Sequence, residues 1–415
     1  MSKSILRLTL ATLVAGFVLL SPQASFASPS GESAPSKDSS LLEGLNKTIF
    51  SYLFYDISGG SIKVPEADRD GTPILDENGV QKQKTIGVPF LLAFLLSGAI
   101  FFTLWYRFIN IRGFKHAIDV VRGKYDKEDD DGEVSHFQAL TSALSATIGL
   151  GNIAGVAVAI QLGGPGAVVW MSIIAIFSMS AKFSSCTLAQ MYRRSHADGS
   201  FSGGPMYYLD IGFRNSNVFG RISGKTLGVL YAFLSNQAAE SLISTFNLES
   251  KPTFLIGALL AIAVGAVTLG GIKRIGAATS KIVPVMCAIY LLAAVAVMIA
   301  NITKVPGAIA LMWTMAFTQN AAFGGLIGVL LISIQRAVFS NEGGLGSAAI
   351  AHAAAKTNEP VREGLVAMIG PVIDTMIVCT MTAIVVVVSG VWDDPNIVAL
   401  AAGGDSTLRE DSRCI

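Results

Sequence analysis

Residues 145–159, SATIGLGNIAGVAVA, form an apolar stretch that has no charged side chain but contains three glycines and one asparagine. Each glycine costs a helix up to ~1 kcal/mol relative to alanine, so Gly149, Gly151 and Gly155 weaken a helix where this segment would cross the middle of a bilayer. In lipid, a backbone group released by such a break needs an internal partner or a polar cavity. The stretch therefore predicts a broken membrane helix, and the break predicts a binding site.

The composition is that of a membrane protein with several spans. Of the 415 residues, 52% are hydrophobic and 14% are charged, and the mean hydropathy is +0.57, whereas a soluble domain carries about 25% charged residues. The formal net charge is +1, and no basic run interleaved with aromatic residues indicates nucleic-acid binding. The four cysteines lack the spacing of a metal or redox motif, so we interpret them as small buried side chains.

Windows of about 20 apolar residues predict eight membrane helices. They lie near 87–107, 137–160, 166–190, 226–246, 253–271, 282–300, 307–335 and 364–390. Lysine and arginine are concentrated in the loops after the first, third, fifth and seventh of these, for example at Lys124, Arg193, Lys273 and Arg362. By the positive-inside rule those loops are cytoplasmic, so we interpret the chain as a multi-pass protein of a bacterial cell membrane.

The start of the chain has the form of a secretory signal peptide, with Lys3 and Arg7 before an apolar run; an uncleaved extra span is the alternative. We predict six segments: a signal peptide (1–27), an extracytoplasmic arm (28–85), an extra transmembrane helix with its cytoplasmic loop (86–136), a first five-helix repeat (137–300), the first two helices of a second repeat (301–392) and an atypical tail (393–415).

The seventh predicted span repeats the peculiarity of the second. Its apolar run is interrupted in mid-membrane by Thr318, Gln319, Asn320 and two glycines. If each interrupted span begins a five-helix unit, the odd number of helices gives the two units opposite orientations, which is the inverted-repeat plan of secondary transporters. Close packing of small residues is the alternative explanation for the glycines.

Two broken helices offer complementary chemistry. Half-helix N-termini present free N–H groups to an anion such as a carboxylate, and freed carbonyl and hydroxyl oxygens suit a small cation. A zwitterionic amino acid together with Na⁺ fits both.

Long motifs resemble one known family. They are TSALSATIGLGNIAGVAVAIQLGGPGAVVWM (141–171), GGPMYYL (203–209), GGIKRIGAATSKIVPVMCAIY (270–290), and FSNEGGLGSAAIAHAAAKTNEPVREG followed by IDTMIVCTMTA (339–383). The chain is similar to the alanine or glycine:cation symporters over residues 87 to about 395. The resemblance implies an all-α polytopic fold with five-plus-five inverted repeats, as in leucine transporters, preceded by one extra helix. It also implies uptake of alanine or glycine coupled to Na⁺, or to H⁺ as a variant, without an organic cofactor.

The resemblance also implies roles for particular residues. The substrate-binding residues would be Thr147, Gly149, Gly151 and Asn152 at the first break, Gln237 in the fourth span, and Phe317, Thr318 and Gln319 at the second break, where the Phe317 ring limits side-chain size. Ser145 and Ile148 occupy the positions that face Na⁺ in the wider fold and would form a partial site.

Several features depart from the family pattern or stay open. Glu240 and Asp374 lie inside predicted spans, where a carboxylate is a candidate for function; for Asp374, helix capping or pairing with a lysine is the alternative. Only one span follows the seventh, so we also consider a truncated, transport-deficient member of the family. A channel or receptor on the same fold is a further alternative. An enzyme is not expected, because the spans lack a nucleophile with a base.

Two cytoplasmic features suggest other chemistry. Residues 340–346 form a glycine-rich loop, which we interpret as a gate or packing corner because no Walker-type lysine accompanies it. His352 and Lys356 share a helix face, and we expect a surface or cavity-lining role for them.

Overall fold

Helices make up most of the chain that the structure describes. The computed structural model describes residues 54–65, 74–76, 79–214, 267, 270–317 and 325–393. The predicted signal peptide, the fourth and most of the fifth predicted spans with Gln237 and Glu240, residues Thr318 to Asn320, and the tail lie outside these ranges.

The first described element is a small hairpin. Strand β1 (Lys63–Pro65) pairs antiparallel with β2 (Gln83–Thr85). The carboxylate of Asp56 accepts hydrogen bonds from the amides of Ser58, Gly60 and Val88 at 2.9, 3.0 and 2.7 Å. These bonds join the turn before the hairpin to the start of the first helix, α1 (Phe90–Trp105).

The remaining elements follow α1 in the order of the chain. They are α2 (Ile109–Arg112), α3 (Phe114–Val121), α4 (His136–Thr147), α5 (Leu150–Gly163), α6 (Ala167–Met191), the paired strands β3 (Arg194–Ser195) and β4 (Phe201–Ser202), α7 (Pro205–Arg214), α8 (Gly271–Ala300), α9 (Val305–Phe317), α10 (Gly325–Asn341), α11 (Ala348–His352), α12 (Pro360–Ala367), a π-helix (Val372–Cys379), α13 (Thr380–Ser389) and a short 3₁₀ turn (Val391–Asp393).

Several of these helices could cross a membrane. Helices α6 and α8 and the run from Pro360 to Ser389 are long and apolar enough, and α4 with α5 makes a fourth span if the pair, bent by 45°, is counted as one. Helices α1, α9 and most of α10 are apolar but shorter. The spans predicted near 87–107, 166–190 and 364–390 thus coincide with helices, and the break predicted within 137–160 separates α4 from α5.

Helix α8 begins earlier than predicted. It starts at Gly271 and continues through Pro284, whereas the apolar window placed its start near residue 282. Lys273 and Arg274 lower the mean hydropathy of the window, as loop residues do. Both are good helix formers, so the helix extends through them beyond its apolar part.

The two largest of four apolar clusters among the described residues hold most of the helices together. The larger one joins α5, α6, α9, α10 and α13, through residues such as Ile160, Met171, Met312 and Val338. A second core joins α3, α4, α6 and α12. Both broken helices are therefore packed on α6, which crosses both cores.

The two interrupted helices run in opposite directions. Ser333 donates to the carbonyl of Ala167 at the start of α6 (2.9 Å), and Asn341, at the end of α10, accepts from Lys182 further along α6 (3.2 Å), so α10 runs parallel to α6. By contrast, α6 ends where α4 begins: Gln190 donates to His352 O (2.6 Å), and His352 shares the carboxylate of Glu363 with His136. Helix α4 is therefore antiparallel to α10.

Candidate functional site

The first break lies at Ile148 and Gly149. Helix α4 ends because Ile148 turns to an extended conformation (φ −80°, ψ 104°), and α5 starts anew at Leu150. An ideal Cβ built on Gly149, Gly151 or Gly155 comes within 4 Å of no neighbouring atom in the part of the chain that the structure describes. Among the described residues, close packing is therefore not what requires glycine here.

Asn152 holds the break together. Its side chain is fully buried and its amide oxygen accepts from Gly149 N (3.2 Å) at the start of α5. Its amide nitrogen donates to the carboxylate of Asp374 and to the backbone carbonyl of the same residue (3.2 Å). One asparagine thus joins the first broken helix to the run Pro360–Ser389.

Asp374 is buried within the π-helix. Its side chain is 1% exposed, and besides Asn152 it accepts from Ser340 Oγ (3.3 Å) and Thr375 Oγ1 (3.0 Å). A π-helix displaces the usual i to i−4 pairing and is often found at functional sites. Of the two alternatives from the sequence, capping is not observed, because no side chain caps the π-helix.

One buried ammonium, that of Lys182 on α6, acts electrostatically on the Asp374 carboxylate. All three hydrogen-bond donors to the carboxylate are neutral, and no lysine or arginine nitrogen forms an ion pair with it among the described residues. A buried carboxylate costs several kcal/mol unless it is paired, and a carboxylate in a span is a candidate for function. Carboxylate, carbonyl and hydroxyl oxygens are the ligands that hard cations prefer.

A second chain of hydrogen bonds fixes the helix that carries Asn152. Thr382 donates to the carbonyl of Asn152 (2.8 Å), and the hydroxyl of Tyr290 on α8 lies 2.5 Å from Thr382 Oγ1. Helices α5, α8 and α13 are therefore linked at Asn152 and Thr382.

The second break is described on both sides. Helix α9 ends at Phe317, whose ring is 49% exposed and lies 5.6 Å from the Trp170 ring and 5.4 Å from the Trp313 ring. Trp170 also donates to the carbonyl of Ala316 (2.7 Å), which fastens the end of α9 to α6. Helix α10 resumes at Gly325, while Thr318 and Gln319 lie outside the described residues.

The other predicted site residues have separate positions. Thr147 is buried at the end of α4 and its hydroxyl donates to Leu144 O (3.3 Å). Ser145 is exposed, and its hydroxyl donates to Ser142 O (2.6 Å) within its own helix. Within the described residues neither side chain bonds to Asn152 or Asp374, so the pairing of Asn152 with Asp374 is the part of the site that the structure adds.

These features define a class of protein. Apolar helices of membrane-spanning length, a helix broken inside its apolar part and a buried carboxylate at the break are characteristic of membrane transporters.

The sequence profile of the sodium:alanine symporter family matches residues 75–407, and the chain belongs to that family, whose members are transporters and not enzymes. It is 42% identical over 326 residues to the sodium/alanine symporter AgcS of Methanococcus maripaludis. The alignment covers 75% of this chain and 70% of that protein. It is 43% identical over 327 residues to an uncharacterised transporter of Haemophilus influenzae (75% and 69%). It is 35% identical over 314 residues to a Bacillus subtilis protein named "Probable sodium/glutamine symporter GlnT" (75% and 65%).

Proposed function

We propose that this protein is a secondary-active symporter that couples the entry of Na⁺ to the uptake of a small neutral amino acid, alanine or glycine, by alternating access. The observation that carries the proposal is the buried Asp374 carboxylate, which is bonded to Asn152 at the first break. Its three hydrogen-bond donors are neutral, and the buried Lys182 acts on it without forming an ion pair among the described residues. A bound Na⁺ would neutralise it, and so would a proton, which makes H⁺ the alternative coupling ion.

The start of α5 supports binding of the substrate carboxylate. Gly149 and Gly151 are exposed and have open space where a side chain would stand. The Gly149 N–H is donated to Asn152, so an anion would approach the N–H groups that follow it. At the other break, the half-exposed Phe317 ring limits the space for a substrate side chain. The relatives that are named for alanine and for glutamine differ in the size of the side chain transported, and we assign the smaller substrates to this chain.

The five-plus-five inverted repeat is part of the proposal. The two broken helices, α4 with α5 and α9 with α10, pack on α6 and run in opposite directions, and this supports the inverted repeat. Rocking of one half against the other would then expose Asp374 and the break first to one side and then to the other.

Uptake into proteoliposomes tests the proposed function. The 415-residue chain is reconstituted and accumulation of labelled alanine is followed with an inward Na⁺ gradient, with an inward H⁺ gradient, and with neither, while unlabelled glycine and glutamine compete. We expect accumulation with the Na⁺ gradient and competition by glycine. Equal entry with and without either gradient would instead support a channel on the same fold.

Asp374→Asn is the critical variant, because it keeps the shape and removes the charge. We expect it to abolish accumulation driven by Na⁺ while the protein remains folded. The matched control is Asp119→Asn, which removes a carboxylate paired with Lys124 at the surface (3.3 Å) and should leave accumulation unchanged. Full Na⁺-driven uptake by Asp374→Asn would contradict the role assigned to Asp374.

A further inference from the structure

A buried histidine, glutamate and histidine meet where α4 begins. His136 is the first residue of α4, His352 the last residue of α11, and Glu363 lies in α12. Each imidazole bonds through Nδ1 to a different oxygen of the Glu363 carboxylate, and all three side chains are at most 2% exposed. This His–Glu–His triad is separate from the Asp374 site.

The triad lies beneath a tight contact between two chain segments. The amide of Lys356 donates to Val134 O (2.8 Å) and that of Thr357 to Asp131 O (3.0 Å). The guanidinium of Arg193 donates to carbonyls of both segments, including Asp131 O and Thr357 O (both 2.9 Å). An ideal Cβ on Gly132 would lie 2.4 Å from Lys356 Cα. The segment before α4 can therefore leave the segment after α11 only if this contact opens.

Charge balance indicates that one of the two histidines in the triad carries a positive charge. A fully buried carboxylate is least costly when one cation neutralises it, so one imidazole is protonated and the other is neutral. His136 Nε2 lies 3.7 Å from a carboxylate oxygen of Asp126, a side chain that is 50% exposed. The Nε2 atoms of both histidines are buried without a hydrogen-bond partner among the described residues, but only that of His136 has a second carboxylate within 4 Å there. A buried positive charge is less costly where an opposite charge is near, so His136 carries the proton, and the half-exposed Asp126 provides its path to water.

Other charged or titratable groups also act on the triad from the elements around it. They are Asp126 before α4, Cys186 on α6, Arg193 after α6, and Arg362 on α12. Arg193 donates to backbone carbonyls. Arg362 donates to Tyr125 O (2.9 Å), and its guanidinium lies 3.9 Å from the Asp130 carboxylate. Of these groups, only Asp126 approaches a triad nitrogen that lacks another partner.

We propose that the His–Glu–His triad is a proton-operated latch: protonated His136 holds the start of the first broken helix against α11 and α12, and loss of that proton loosens the contact. The consequence for transport, that alkaline conditions at this end of the protein favour opening there, depends on the proposed function. The latch itself does not, and it can be tested without transport.

Hydrogen exchange in lipid nanodiscs provides the test. Protection factors, corrected for the intrinsic exchange rate, are measured for peptides covering 131–139 and 353–359 between about pH 5.5 and 9, the range in which histidine titrates. We expect protection to fall about tenfold through a one-proton transition, because a charge-assisted hydrogen bond is about twice as strong as a neutral one. His136→Asn keeps an N–H donor near Nδ1 but cannot ionise, so its protection should be low at every pH.

The controls distinguish the residues of the triad. His352→Asn should retain the transition, and His196→Asn, at an exposed position, should not alter it. If His136→Asn fails to fold, Asp126→Asn replaces it: loss of the second carboxylate should move the transition to lower pH. A transition that persists in His136→Asn, disappears only in His352→Asn, or does not move in Asp126→Asn would overturn the proposal. Because Asp374→Asn leaves the triad intact, it should retain the transition even if it abolishes uptake.

Discussion

Asn152 is suited to its position because an amide side chain can donate and accept at the same time. Its amide nitrogen donates to the carboxylate and the backbone carbonyl of Asp374, while its oxygen accepts from Gly149. Aspartate in its place would put a second negative charge beside Asp374, and leucine would leave the carboxylate without its strongest donor. The break and the buried charge therefore depend on one neutral side chain.

Asp56 gives a pH-dependent prediction at the hairpin. Its hydrogen bond from the Ser58 hydroxyl, followed by that from the Val88 amide, lowers the pKa of the Asp56 carboxyl to about 2. Because the folded state lowers this pKa, the stabilisation is complete above the unfolded value of 3.8 and is lost as the pH falls towards 2. We expect the Val88 amide to lose hydrogen-exchange protection over this range, and Asp56→Asn to show reduced protection already at neutral pH. Glu128→Gln, on an exposed loop, is the control, and full protection of Val88 in Asp56→Asn would contradict the prediction.

At the level of single residues, the sequence indicated candidates but not their partners. Asn152 stood out because it lies among glycines, and Asp374 because it is charged within a span. They are 222 positions apart, so no local spacing predicts that they bond. His352 and Lys356 were expected on one helix face at a surface or cavity; the helix instead ends at His352, which is fully buried, and Lys356 is exposed beyond it. The alanine-rich neighbourhood does not distinguish a buried helix face from an exposed one, and the partner of His352, Glu363, belongs to another helix.

At the scale of elements, the crossing of α6 and α9 requires a small residue. An ideal Cβ on Gly166 would lie 2.4 Å from the backbone of Met315 and Ala316. Gly166 has an ordinary helical conformation (φ −65°, ψ −20°), so only the contact with α9 opposes a side chain there. We expect Gly166→Ala to destabilise the protein by about 1–3 kcal/mol, as overpacking does, and to lower its thermal unfolding temperature in detergent.

Gly151→Ala is the matched control for this glycine effect. The added methyl group meets no described atom within 4 Å, and alanine is the better helix former by up to ~1 kcal/mol. Its unfolding temperature should therefore be unchanged or higher, whereas alanine binding should weaken if the start of α5 contacts the substrate. A lower unfolding temperature for Gly151→Ala than for Gly166→Ala would show that the roles of the two glycines are reversed.

Sequence patterns located the helices more reliably than their internal form. Apolar windows found α1, α6 and the run from Pro360 to Ser389, and the glycines marked the division between α4 and α5. The π-helix was not predicted, because its composition, VIDTMIVC, is that of any apolar helix. Its backbone instead accommodates contacts from other elements, such as the bond from Asn152 to the Asp374 carbonyl (3.2 Å), and such contacts are not encoded locally.

At the scale of the whole molecule, the basic segments meet at one end. Arg193 bonds to the segments before α4 and after α11, and Arg362 bonds to the Tyr125 carbonyl (2.9 Å). Ile272, next to Lys273 and Arg274 at the start of α8, packs against the same core residues as Val134. Four segments that the sequence singled out only by their lysines and arginines are therefore gathered into one surface, which we call the basic end.

The basic end gives the final prediction, which concerns orientation. If it faces the cytoplasm, as the positive-inside rule requires, a cysteine at Ala197, exposed between β3 and β4, is protected from a membrane-impermeant maleimide in intact cells. A cysteine at Lys82, exposed beside the β1–β2 hairpin, is labelled under the same conditions. Both substitutions are made after the four native cysteines are replaced by serine or alanine, and permeabilised cells show that Ala197→Cys can react. Labelling of Ala197→Cys but not Lys82→Cys in intact cells would reverse the orientation, and with it the side from which protons would reach His136.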